Sequence, residues 1–111
     1  LESEERYRRL VEYSPDGITI ELDERLVYAN PAAVKILCET TSENLIGKNI
    51  MDIIPVELQE IEKEKINFIK ENNSPLPFID SQLLRTDGTK LDIEVSMVSF
   101  PYEGKTATKI I

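Results

Sequence analysis

The sequence predicts an α+β domain: a five-stranded antiparallel sheet with helices packed on one face and a flanking helix at the N-terminus. Three observations carry that expectation. Ile18-Thr19-Ile20-Glu21-Leu22 and Arg25-Leu26-Val27-Tyr28-Ala29 flank the tight turn Asp23-Glu24 as a first hairpin. Leu76 to Arg85 and Lys90 to Phe100 flank Asp87-Gly88, a strong two-residue hairpin signal, as a second. A run of mostly short helical pieces lies between them. The two hairpin blocks cannot be finished separately, so they join in one sheet, and the helices cross to one face of it. That arrangement leaves room for a cavity between sheet and helices.

Ser3 to Tyr13 is helical in composition, with Tyr7, Leu10 and Val11 in a narrow apolar stripe among charges. A helix this short must dock on something. It either covers its own sheet or leads in from upstream as a dimer or linker helix. Ser14-Pro15-Asp16-Gly17 ends it. The chain therefore divides into a flanking helix over 1–13 and a core over 14–111 that stops near the end of its last strand. Alternation in the first hairpin gives Ile18, Ile20 and Leu22 one buried face.

Val27-Tyr28-Ala29 runs straight into Asn30-Pro31, a strong N-cap followed by a proline at the first helical position. Ala32, Ala33, Ile36 and Leu37 form the apolar face of that helix, and Ala33, Ile36 and Leu37 become candidate cavity lining. Loss of the cap in Asn30→Ala is worth about 1 kcal/mol. Cys38, at the end of the helix, reads as a small buried hydrophobe. Ser42 caps a single turn that Gly47 stops, and Asn49 to Ile54 is another short turn closed by Pro55. Glu57 to Asn72 is the long helix, with Leu58, Ile61, Lys65, Phe68 or Ile69, and Asn72 along its inner line and Ile66 beside it. In the closing meander, an Asp87-Gly88 turn pairs Leu84 with Leu91, Gln82 with Ile93, Asp80 with Val95 and Phe78 with Met97. Tyr102-Glu103-Gly104-Lys105 makes a second turn before Thr106 to Ile111.

At 111 residues, 41% hydrophobic and 31% charged, the chain is one domain with a real core. A net charge of −8 argues against nucleic acid and against direct contact with an anionic membrane, since both need a basic patch. One cysteine forms no internal disulfide and excludes a thiolate-rich metal or Fe–S site; this suits a reducing, cytoplasmic setting, although the parent protein could be membrane-attached. The sequence has no histidine, the commonest metal ligand and the usual acid–base residue near neutral pH. No nucleophile elbow, phosphate-cradling loop or metal cluster is visible, so no catalytic residue and no metal ligand is assigned.

The chain resembles the PAS domains of bacterial and archaeal sensor kinases. The resemblance rests on Glu5 to Gly17, Val27 to Ala33, Leu45-Ile46-Gly47-Lys48, Arg85-Thr86-Asp87-Gly88-Thr89 and Glu94-Val95-Ser96, in that order, and spans nearly the whole chain. It implies a PAS-like fold, a homodimer, and a sensory input module linked to an output domain such as a histidine kinase or a diguanylate cyclase. It also implies that the cavity can hold a ligand or cofactor. Histidine-ligated haem has no histidine here, and haem through Met51, Met97 or Cys38 alone suits few sites. Cys38 lies outside the motif that a cysteinyl-flavin adduct needs, and the cofactor stays unknown.

Within the expected register, Asp80 and Gln82 are the polar side chains of the inner face. They either bind a small polar ligand, or pair with backbone or Lys65, or sit at the rim. With Ile54, Ile61, Phe78, Ile93 and Val95 they complete the candidate pocket. Ile79, Leu83, Val98 and Phe100 form the outer face that would meet Tyr7, Leu10 and Val11 of another copy. A ligand-free interaction module is the competing reading, and the two differ in whether the cavity is filled by Ile, Leu and Phe side chains or holds a void.

Overall fold

The computed structural model describes residues 2–72, 74–99 and 105–110. Helix α1 (Glu2–Glu12) precedes strands β1 (Gly17–Leu22) and β2 (Arg25–Ala29). Helix α2 (Pro31–Ile36), three 3₁₀ turns (Ser42–Asn44, Ile50–Ile53, Val56–Leu58) and α3 (Gln59–Asn72) come next, then β3 (Leu76–Leu84), β4 (Lys90–Ser99) and β5 (Thr106–Ile110). The strands form one antiparallel sheet in the order β2-β1-β5-β4-β3. Most of the expected turn over Tyr102-Glu103-Gly104-Lys105 lies outside the described residues, as do Asn73, Phe100 and Ile111.

The corner after β2 is where the elements meet. Asn30 is fully buried, and its Oδ1 accepts from Ala33 N at 3.0 Å as the cap of α2. The same oxygen accepts from Ile18 N at 2.8 Å. Nδ2 donates to Val11 O at 2.8 Å and to Asp16 O at 3.0 Å. All four hydrogen-bonding positions of the amide are used, and they join the end of α1, the entry turn, β1 and α2. Gly17 lets α2 lie close: a Cβ there would stand 2.9 Å from Ile36 Cδ1 and 3.2 Å from Ala33 Cα.

That approach decides which face of β1 points inward. Gly17, Thr19 and Glu21 are buried, and Ile18, Ile20 and Leu22 are half-buried on the outer face, the reverse of the alternation reading. Period two identifies two faces but not which is covered, and β1 is an inner strand. The two-residue turn after it is present, with both Asp23 (φ 50°) and Glu24 (φ 67°) left-handed, as a type I′ hairpin requires.

The second hairpin is displaced by one residue from expectation. Leu83 faces Leu91, Ser81 faces Ile93 and Ile79 faces Val95. Only Gly88 has positive φ (89°), Gly88 N donates to Arg85 O at 2.9 Å, and Arg85 N donates to Thr89 O at 2.8 Å. The loop is thus a type I turn over Thr86-Asp87 followed by a left-handed glycine, one residue longer than a type I′ turn. Thr86 holds it in place from outside the hairpin, its hydroxyl donating to Leu37 O (2.9 Å) and Cys38 O (3.0 Å) at the end of α2. Near the start of β3, Pro77 lies in an irregular stretch between the pairs at Leu76 and Ile79.

Three smaller differences follow from packing. Cys38 is exposed, not buried: with φ 62° it is the left-handed residue that ends α2, Cys38 N reaching Lys35 O and Glu39 N reaching Val34 O. Thr41, not Ser42, stands at the cap of the next turn, with no side-chain bond. The inner line of α3 is Glu62, Ile66 and Ile69, whereas Ile61 and Phe68 are half-exposed.

The four bonds of Asn30 raise the expected cost of its loss. Asn30→Ala should lose about 3–4 kcal/mol in denaturant unfolding, several-fold more than a cap alone. Asn30→Asp keeps the cap acceptor but sets a carboxylate against two carbonyls, and should lose at least about 2 kcal/mol.

Candidate functional site

The inner face of the sheet is not uniformly apolar. Thr19 and Thr108 face each other across β1 and β5, and Glu21 faces Thr106 one step along; all four are buried. With α3 and the turn at Ile50–Ile53 they enclose a core that is mostly filled by Ile, Leu, Val and Met side chains. Between them lies a void of about 30 Å³, lined by Thr19, Thr108, Ser81, Glu62 and a ring of aliphatic residues including Ile54, Ile93 and Val95.

Glu62 brings a carboxylate to this wall at 4% exposure. Its Oε1 lies 2.9 Å from Lys65 Nζ and accepts from Ser81 Oγ at 3.2 Å, so the charge is paired where α3 crosses β3. A second buried carboxylate sits nearby. Glu21, 1% exposed, takes Glu24 N at 2.9 Å on Oε2, and Lys70 Nζ stands 2.7 Å from Oε1 as an ion pair without good hydrogen-bond alignment. The hydroxyl of Thr106 has no hydrogen-bond partner among the described residues.

Four of the pocket residues expected from sequence reach the void: Ile54, Ile93, Val95 and Gln82. Gln82 turns its amide outward to Asp92 Oδ1 (2.9 Å), and Asp80 is exposed, because the register shift puts both side chains on the outer face. Ala33 and Leu37 are buried elsewhere in the core, Ile36 packs over Gly17, and Lys65 is turned to Glu62. Ile61 and Phe78 are half-exposed. Of the expected outer face, Val98 is exposed, but Leu83 is buried inside and Ile79 packs against the core, again through the register. Leu10 is exposed at 69% and Val11 half-buried; the side chain of Tyr7 and all of Phe100 lie outside the described residues. Thr19, Thr108, Ser81 and Glu62 were not anticipated. Glu62 could have been found by stepping back one turn from Ile66 and Ile69, and the threonines by the alternation Thr106-Thr108-Ile110.

Helix α1 is tethered to β2. Tyr28 OH donates to Glu12 Oε2 at 2.7 Å, and burial, then that bond, pushes the phenol up to about 12. Among the described residues no group of three or more potential ligands could hold a metal ion, and no helix is long and apolar enough to cross a membrane.

A sequence profile of the PAS domain matches residues 15–111. The chain belongs to the PAS family. Sporulation kinase A of Bacillus subtilis is 28% identical over 105 residues, covering 95% of this chain but only 17% of that protein. A domain of a sensory box sensor histidine kinase/response regulator from Geobacter sulfurreducens superimposes with a TM-score of 0.80 at 23% identity, over 97% of this chain and 92% of that one. A PAS domain in complex with ethanol, from a LuxR-family transcriptional regulator of Burkholderia thailandensis, gives 0.77 at 14% identity, over 95% of each chain. This PAS domain thus resembles in sequence a segment of a sporulation kinase, and in fold a domain of a sensor histidine kinase.

Two measurements check the site. Lys70→Met leaves Glu21 buried without its cation and should cost about 2–3 kcal/mol, much of it restored in the Glu21→Gln/Lys70→Met double variant. Tyr28, held up at about 12 against 10.0 when free, favours the folded state below pH 10 and loses that contribution as pH rises through 12. Ultraviolet titration should show one tyrosine ionising late, a step absent from Tyr28→Phe.

Proposed function

We propose that this PAS domain is the sensory input of a signalling protein. In this reading a small molecule occupies the void between sheet and α3, a second copy covers the outer face of the sheet, and a covalently linked output domain, such as a histidine kinase, reads the change. The void is the observation that carries it: a core filled for stability alone would be packed closed, and here an aliphatic cavity with Thr19, Thr108 and Ser81 among its lining residues stays open. The ethanol complex of the Burkholderia thailandensis domain supports a small occupant in a fold of this kind. The differential affinity of that occupant for two packings of the sheet is what would drive the output.

Dimerisation is supported by the outer face, where half-buried Ile18, Ile20 and Ala107 adjoin exposed Val98, and by exposed Leu10 on α1 and Tyr13 just after it. The smallness of the void favours the ligand-free interaction module as the second reading. A metabolite-library thermal-shift screen, together with native mass spectrometry of freshly purified protein, separates the two. A Tm rise with one compound, or a bound mass, is expected; silence in both discards the ligand. Sedimentation should show a dimer that weakens on deletion of residues 1–13 or in Val98→Asp, and a monomer at high micromolar concentration would remove the second copy.

A further inference from the structure

A groove of about 340 Å³ runs between the Asp23-Glu24 turn and the flank of α3 that carries Lys63, Asn67 and Lys70. Its size falls at the lower end of the range for small-molecule pockets, about 300–1,000 Å³. Glu21 sets the separation of the two walls. Its buried carboxylate accepts from Glu24 N at 2.9 Å on Oε2, and Oε1 stands 2.7 Å from Lys70 Nζ. One side chain thus ties the turn and the helix to the same strand, and the groove is held in shape before anything enters it. Met51 and Ile66, both buried, bring the edge of the core to its lining.

The polar groups around this apolar patch are uncommitted. Lys70 is spent on Glu21, but the side chains of Asp23, Glu24, Lys63 and Asn67 make no hydrogen bond or ion pair among the described residues. Carboxylates therefore line the turn side, and an ammonium and an amide the helix side, without closing on each other. A simple anion drawn to Lys63 meets the field of two carboxylates. A simple cation drawn to the carboxylates is opposed by Lys63 and leaves it unanswered. A molecule that carries both charges on neighbouring groups answers both walls at once, and an aliphatic side chain on it covers Met51 and Ile66.

We propose that this groove binds an aliphatic α-amino acid, with its carboxylate toward Lys63 and Asn67, its ammonium toward Asp23 and Glu24, and its side chain on Met51 and Ile66. The site is separate from the void between sheet and α3 and does not depend on an occupant there.

Backbone amide correlation spectra of the chain, titrated with L-leucine, 4-methylpentanoate and 3-methylbutylamine at constant ionic strength, test this. The second compound is leucine without its ammonium, and the third is leucine without its carboxylate. Leucine should shift the amides of Glu24, Met51 and Asn67 saturably, and each singly charged analogue should bind at least about tenfold more weakly. Lys63→Gln should bring leucine down to the affinity of the amine, and Asp23→Asn/Glu24→Gln to that of the carboxylate. All three positions are exposed, and asparagine suits the left-handed φ of residue 23, so both variants should keep the fold. An analogue that binds as tightly as leucine overturns the zwitterion. Leucine shifts that never saturate, or that survive both variants, overturn the site. Shifts confined to Ser81, Val95 and Thr108 would put leucine in the void and overturn it equally.

Discussion

The buried amide of Asn30 is the constraint on which the rest of the domain depends. A side chain with two acceptor and two donor positions is placed where four backbone groups from four segments converge. Ile18 N lies at the start of β1, Ala33 N in the first turn of α2, Val11 O at the end of α1, where it also accepts from Ser14 N, and Asp16 O in the turn before β1. Once the amide is in place, α1 can leave the sheet only near Val11, and α2 must begin over Gly17. The path of the chain across this end of the sheet is then largely decided.

The second organising feature is that the inside of the sheet is partly polar. Helix α3 meets β1 through Lys70 and Glu21, and meets β3 through Glu62 and Ser81. Paired buried charges contribute little net stability compared with apolar packing, but they penalise any other placement of the helix because a shifted α3 would strand a carboxylate. The helix is therefore held in a defined position over a core that is not completely filled. The sensing role proposed above would draw on both properties together.

Much of the fold could be read from sequence because its signals are local. Asn30-Pro31, the breakers at Pro15 and Gly17, the Asp23-Glu24 turn and the order of hairpins and helices all act through neighbouring residues. The site was less legible, since its geometry rests on contacts between distant residues. Asp87-Gly88 reads equally well as a type I′ turn or as the end of a longer loop, and the hydroxyl of Thr86 on the carbonyl of Leu37, 49 residues away, selects the longer one. With the longer loop, Asp80 and Gln82 lie outside and Ser81 and Leu83 inside. The face of β1 was settled by the close approach of Ala33 to Gly17, and that of α3 by partners that make a buried glutamate tolerable. Polar residues at alternating strand positions suggested solvent, and only their partners reveal an interior.

The edges of the sheet differ in how they meet other chains. Along β2 the edge is already occupied: Leu26 exchanges bonds with Lys48 and Gly47, and Arg25 bridges to Asn49. At the β3 edge, Pro77 offers no N–H and sits where the pairing is irregular, with the charge of Asp80 close behind. Proline, irregularity and charge are the devices that keep an edge strand from templating another. Growth of the sheet from chain to chain, the route to fibrils, is thus blunted at both ends, and specific association is left to surfaces that a signalling protein can make and break.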